Sequence, residues 1–428
     1  MHRLHRAQYA AGIHLPDRAR RRAGMNSVSA RAGIVPLIAA CVLCGCEREP
    51  AFEELAFPGA AGSAQPRLTS DIDGSPILSW LERSGDGAVL RYAVFDGAGF
   101  GAPREVAASE RMYVNWADFP AVTPINDDLW FAYWLRKRPE GSGYDVATRI
   151  SHDSGLSWSD SEQLNEDATA AEHGFVSAFP WDGRFGAFWL DGRELANWSF
   201  DAPDALLGTS LRLAHFDEHG AIVGREIVDS LVCDCCQPDV AQGSAGPILV
   251  YRDRSEAEIR DIVVRRYSGG RWSDPVNLGN EQWHIEGCPV NGPVIAARED
   301  DVVAAWFTAA SNTSRVRFAR SADAGASFGP ATDIDAGRAL GQPGIALAGD
   351  GSALISWWRR GSEGGIDLML RSIGRDGTAA EPLLLAHEDI GLAADVPQLG
   401  EADGDYLVAW TTFADGGNVR LLRLRNLP

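Results

Sequence analysis

The chain repeats itself. A short apolar run carrying an aromatic residue returns at Trp80, Trp134, Trp189, Tyr251, Trp306, Trp357 and Trp410, at intervals of 54, 55, 62, 55, 51 and 53 residues. A period of that size belongs to units that stack or ring together, and it restricts the fold more than any single motif does. Each run follows a Gly, Asp or Asn turn and an extended segment such as residues 119–122. Each precedes an alternating segment such as residues 89–95 or 316–320. Short alternating runs separated by turn residues, with no stretch of helical period, predict units of about four antiparallel strands. Arranged radially, such units form a β-propeller, so the expected class is all-β.

Seven units supply three strands each, but only six show a fourth before the next unit begins. Residues 51–57 read like the fourth strands elsewhere. Pairing them with the end of the chain near Leu424 would close the ring and cover an exposed sheet edge. The expectation is seven blades over residues 51–428, closed by an N-terminal strand, with six blades as the alternative.

Residues 1–45 do not belong to that pattern. An arginine-rich stretch precedes an apolar run, residues 32–45, which is too short to span a bilayer but suits the core of a secretion signal. The run ends Leu43-Cys44-Gly45-Cys46, which resembles a bacterial lipobox; Ile38-Ala39-Ala40-Cys41 is a second match. Cys46 is preferred, because counting from Met25 gives an ordinary signal length and a polar tether follows over residues 46–50. The implied protein is acylated at Cys46 and held on a membrane surface of the cell envelope, on the periplasmic side of the outer membrane or at the cell surface. A plain secretory signal or membrane anchor is the alternative. Removing residues 1–45 takes away seven arginines and one aspartate and leaves 32 basic against 58 acidic side chains, a net charge of −26. So acidic a chain is a poor partner for nucleic acid, which is bound through clustered Lys and Arg. The expected partners are the membrane and a small-molecule or glycan ligand, bound by a monomer.

Two segments carry a sharper motif. Ser151-His152-Asp153-Ser154-Gly155-Leu156-Ser157-Trp158 is a full Asp-box, S-x-D-x-G-x-x-W. Residues 321–328 match it with Phe328 in the Trp place, and residues 268–272 are a decayed copy. In this motif an Asp caps the backbone of its own turn and Gly takes a φ > 0 position. The boxes fall between third and fourth strands, in step with the repeat. Here the chain resembles the BNR or Asp-box repeat proteins of the sialidase superfamily, over essentially residues 51–428. The box itself is architectural, and the fold does not fix an activity.

In a four-stranded blade, the loop leading into the first strand and the loop joining second to third strands share one face. The Asp-boxes lie on the other. The lead-in loops bring Asn115, Trp116, Asp118, Glu172, His173, His284 and Asn291, and the second-to-third loops bring Asp191, Arg193, Arg252, Asp253, Arg260 and Arg359. Polar and titratable groups thus gather at one channel mouth, which is the expected ligand-binding face. The resemblance to sialidases implies three arginines on the sugar carboxylate, a tyrosine nucleophile and an Asp acid/base. Arg193, Arg252 and Arg359 are the candidates for the clamp and Asp118 for the acid. The Phe-Arg-Ile-Pro motif of the first sialidase arginine is absent, and no late tyrosine stands in a nucleophile setting. Ion pairing within loops is the other reading of the arginines. Ligand binding without hydrolysis is therefore the leading expectation, and exo-sialidase activity the alternative.

Cys233, Cys235, Cys236 and Cys288 occupy two successive lead-in loops. In an oxidising envelope the first assumption is disulfides, and one bond between the loops is easy. A second would join near neighbours in a strained ring. The other readings are redox-active thiols, or a soft metal, Cu or Zn, with His284 or His173 as nitrogen donor. The repeating tryptophans are expected between sheets, whereas Trp116 and Trp283 lie in loops where an indole can stack on a ligand.

Overall fold

The computed structural model describes residues 51–427 apart from 140, 142, 198–206, 390–394 and 413–416; the signal, the tether, Cys41 and Cys46 lie outside the described residues. The described chain forms seven antiparallel sheets in a ring. Blade 1 comprises Ser63–Ser70, Pro76–Ser84, Gly87–Val94 and Arg104–Ser109, from the channel outward. Blade 2 comprises Ala121–Pro124, Trp130–Lys137, Tyr144–Ser151 and Glu162–Gln163. Blade 3 begins at His173–Trp181, blade 4 at Asp239–Gly243, blade 5 at Val294–Arg298, blade 6 at Ala339–Leu347 and blade 7 at Gln398–Ala402. The outermost strand of blade 4 is split into Arg271–Trp272 and Val276–Asn277, next to the decayed box, where Gly269 and Gly270 take positive φ.

The ring closes as the sequence predicts. Ala51–Leu55 pairs antiparallel with Asn418–Arg425, from Ala51 opposite Arg425 to Leu55 opposite Leu421, so the two ends of the propeller share blade 7. Blade count and the closing strand both follow that expectation.

The repeated aromatics lie in the second strands and fill the space between sheets. Trp80, Trp189, Trp306, Trp357 and Trp410 are fully buried. Each indole N–H finds a carboxylate: Glu82, Asp191, Glu281, Asp335 and Glu388, at 2.7–3.1 Å. A buried N–H left without an acceptor costs about 1–3 kcal/mol, so these carboxylates are part of the packing.

The full Asp-box and its Phe328 variant both adopt the expected turn. The Ser151 hydroxyl donates to Asp153 at 2.8 Å and accepts from the Gly155 N–H at 2.8 Å, while Asp153 accepts from the Ser157 N–H at 2.8 Å. Ser321, Asp323, Gly325 and Ser327 repeat the pattern in blade 5. Gly155 and Gly325 take φ of +77° and +76°. One bond ties the box to a neighbouring blade: the Tyr92 hydroxyl of blade 1 donates to the Gly155 carbonyl at 2.8 Å.

Candidate functional site

Backbone bonds tie the lead-in loops to the second-to-third loops. Gly192 N–H donates to the Glu172 carbonyl, Cys233 N–H to Arg252, Arg260 N–H to Trp283 and Arg360 N–H to Arg338, at 2.9–3.1 Å. The sequence-derived candidates therefore share one face, but they do not form one site. Among the described residues, no hydrogen bond or ion pair gives Arg193, Arg252 and Arg359 a common partner.

In the sector of blades 2 and 3, Asp118 is buried, and its Oδ1 accepts from the Phe175 N–H at 2.8 Å. Its Oδ2 is buried without a hydrogen-bond partner. Burial, aided by the charge of Glu172, pushes its carboxyl up to about 8. Gly174 lies against it so closely that an added Cβ would sit 1.9 Å from Oδ2. Asn115 caps its own loop through the Ala117 N–H at 3.1 Å, and neighbouring Trp116 is exposed. Glu172 is also exposed.

His173 corrects the expectation of a ligand contact: its ring is fully buried, with Nδ1 3.1 Å from the Tyr144 carbonyl and Nε2 3.2 Å from Asp167 and 3.5 Å from Asp191. Burial works against its charge, but Asp191 and Asp167 outweigh it and raise its pKa. Asp167, His173 and Asp191 stand close enough to hold a cation. Arg193 already fills that role, bonding Asp191 through Nε at 2.8 Å and Nη2 at 2.6 Å and reaching Glu166 at 2.9 Å. Asp191 itself is buried, so neither it nor Arg193 presents a bare group to a ligand.

The sector of blades 3 to 5 is built differently. Arg252 is fully buried, and its guanidinium donates to backbone carbonyls: Nε and Nη2 to Asn291 at 3.1 and 3.0 Å, Nη1 to Arg260 at 2.7 Å and Nη2 to Phe307 at 2.7 Å. It also lies over the Trp283 ring, 5.0 Å from the centroid. Both residues correct the sequence reading: Arg252 is not a carboxylate clamp, and Trp283 is buried packing, not a stacking platform. Asn291 is buried too, its Oδ1 accepting from the Gln342 N–H at 2.5 Å. Burial and the neighbouring Asp229 push the half-buried Asp253 carboxyl up to about 6. Arg359, in blade 6, pairs with Asp367 at 3.4 Å.

The four cysteine sulfurs gather here, all within 4.8 Å of one another. Cys235 and Cys288 are disulfide-bonded with Cα atoms 6.2 Å apart, and Cys233 and Cys236 are buried thiols. Cys233 Sγ lies 3.8 Å from Cys288 Sγ and 3.7 Å from Arg260 Nη1. Burial disfavours the Cys233 thiolate, but the Cys236 thiol and the charges of Arg252 and Arg260 lower its pKa to about 7. Neither histidine belongs to this group of sulfurs: His284 is exposed, and His173 sits with Asp167 and Asp191.

Sequence reasoning missed Arg67. It lies on the channel-lining strand of blade 1, its guanidinium 5.5 Å from the centroid of the Phe119 ring of blade 2 and 3.2 Å from Gln398 Oε1 of blade 7. Its place on an innermost strand was the available signal. An open pocket of about 870 Å³ beside the closing strand was also missed; Glu54, His387, Glu388 and Arg420 help line it. Glu54 and Arg420 are already paired at 3.0 Å.

No family model matches the chain, and no curated protein does. Among solved structures it is similar to the NanB sialidase of Streptococcus pneumoniae, at 10% identity and TM-score 0.42 over 88% of this chain and 71% of that one. A subtype N10 neuraminidase-like protein from little yellow-shouldered bat influenza A matches at 10% identity and TM-score 0.45, over 88% and 98% of the chains. Trypanosoma rangeli sialidase in complex with the inhibitor DANA matches at 11% identity and TM-score 0.45, over 76% and 56%. Similarity this distant says nothing about activity.

Proposed function

We propose that this protein is a lipid-anchored propeller of the cell envelope that binds a glycan or another small ligand at its channel mouth and does not cleave it. The observation that carries the reading is Trp116. Among the described residues it is the one exposed tryptophan, at 38%, in a fold that buries its repeated indoles between blades. An exposed indole at the mouth of a ring supplies an apolar face for a sugar ring. Asn115 precedes it in the same loop, Glu172 is exposed and close enough to Asp118 to act on its charge, and Arg67 adds a positive charge on a channel-lining strand. Hydrolysis of a sialoside is the weaker reading, because Arg193 and Arg252 are committed to Asp191 and to backbone carbonyls. The anchor rests on the lipobox at Cys46 alone.

The test is a glycan array followed by calorimetric titration of the best hit, with a fluorogenic sialoside assay alongside. Replacing Trp116 by Ala should weaken binding roughly tenfold, the loss of about 1–1.5 kcal/mol from one aromatic contact, at an unchanged melting temperature. Sialoside turnover by the wild-type protein that Asp118→Asn abolishes would replace this reading with an enzyme. Cys46→Ser should release the protein from membranes; continued attachment of that variant would move the anchor elsewhere.

A further inference from the structure

We infer that the cysteine cluster is a binding site for one soft d10 cation, Zn(II) or Cu(I), held by Cys233, Cys235, Cys236 and Cys288 once the Cys235–Cys288 bond is reduced. The site goes beyond the ligand-binding reading above and does not depend on it.

Three observations lead to it. The first is geometric. Four sulfurs from two loops 52 residues apart, between Cys236 and Cys288, converge within 4.8 Å of one another. Metal–thiolate bonds of about 2.3 Å place tetrahedral sulfurs ~3.8 Å apart. Cys233 and Cys288 already stand at that edge length, 3.8 Å.

The second is electrostatic. Arg252 is a fully buried cation, and among the described residues it makes no salt bridge; its partners are backbone carbonyls and the face of an indole. A buried charge without a counter-charge is costly, so the site is built for negative charge nearby. Arg260, also buried, reaches 3.7 Å from Cys233 Sγ. Four thiolates around Zn(II) carry a net charge of −2, which Arg252 offsets in part; Arg260 is already paired with Asp234 at 3.2 Å and Glu258 at 2.9 Å and completes a charged shell around the sulfurs.

The third is the framework. Gly292 packs the Cys288 loop onto the Cys233–Cys236 loop so tightly that an added Cβ would lie 2.2 Å from the Gln237 carbonyl oxygen. Cys233 N–H is held by the Arg252 carbonyl at 3.1 Å. The sulfurs are thus brought together by packing and backbone bonds, and opening the one disulfide does not release the loops.

Loading requires a reductant. A dithiol attacks the Cys235–Cys288 bond, becomes a disulfide itself and leaves two cysteine thiols; the four thiols then lose their protons as the cation binds. The metal is closed in by protein on all four ligands, a structural or storage site with no open position for a substrate.

The experiment uses the full-length chain in detergent, reduced anaerobically with a dithiol and desalted. Zn(II) and Cu(I) are offered separately, bound metal is measured by mass spectrometry, and free thiols are counted with a disulfide reagent. The expected result is one cation per chain surviving desalting, with all four thiols unreactive until a chelator is added. Cobalt(II) loading should give the intense tetrahedral thiolate bands. Cys233→Ser and Cys288→Ser should each lose the cation, and Arg260→Met should keep the stoichiometry but weaken affinity ~10-fold or more, as loss of a supporting group around a metal does. The cobalt spectrum of the unmodified chain keeps the idea testable if the serine variants do not fold. Four freely reactive thiols in folded, reduced protein exposed to either metal overturn the proposal. So does full loading of Cys233→Ser, or a Cys235–Cys288 bond that a dithiol cannot open in the folded chain.

Discussion

Asp118 and Asp153 lie at opposite ends of blade 2 and in opposite physical states. Asp153 sits near the surface in a turn, where the Ser157 hydroxyl and N–H and the Ser151 hydroxyl lower its carboxyl to about 2. Asp118 is fully buried at the mouth, with one backbone donor, and burial raises its carboxyl to about 8. The same residue type is an anion cap in one place and a neutral acid in the other. The difference lies in who supplies the surroundings. Every group that stabilises Asp153 comes from within four residues of it, whereas Asp118 is enclosed by blade 3, 57 residues further along.

The largest effect should appear at Asp118. Its folded pKa lies above its unfolded value, so its full contribution to stability is present below about pH 4 and is lost as pH rises towards 8. Asp395 and Asp253, pushed to about 7 and about 6 by burial, add to the same slope. Asp118→Asn should therefore match the wild type near pH 4 and exceed its stability at pH 8.5, by on the order of 2–4 kcal/mol in urea unfolding. Parallel stability curves for the two proteins would mean that Asp118 is ionised and solvated, and the contrast with Asp153 would vanish.

Gly174→Ala should come next. The new methyl group meets Asp118 Oδ2 at 1.9 Å, and overpacking of this kind costs roughly 1–3 kcal/mol. The cost should shrink in an Asp118→Ala background. Equal costs in both would show that the crowding comes from Tyr144, the other side chain near that position.

Asp153→Ala should have the smallest global effect. The turn it caps is local, so the melting temperature should fall by less than about 3 °C. Amide exchange should rise at residues 154–158 and leave the blade 3 contacts of Asp118 unchanged. In the wild type the protection of these amides, relative to their intrinsic exchange rate, should fall only as pH drops below 4 towards about 2, because a depressed carboxylate stabilises above its unfolded value and stops doing so on protonation. A large loss of global stability in Asp153→Ala would make the box a keystone between blades, through Tyr92 and Gly155.

What could be read from the chain alone follows the range of the interactions. The period of about 55 residues, the closing strand over residues 51–55 and the two Asp-boxes rest on alternation, turn chemistry and bonds spanning two to four residues, all of which are written in order along the sequence. The gathering of the two cysteine loops on one face was legible for the same reason, since strand direction decides which loops share a mouth. Burial was not. Arg252 looked like a ligand arginine after a second strand, and only the packing of blades 4 and 5 places its donors on the carbonyls of Asn291 and Phe307, 39 and 55 residues away. Trp116 and Trp283 carried the same signal, an indole in a lead-in loop, yet one is exposed and the other lies beneath a guanidinium. Solvent exposure is set by the neighbours that close over a side chain, and in a propeller those neighbours belong to the next blade, so residue type and spacing determined the frame while the contacts between blades decided which groups meet water.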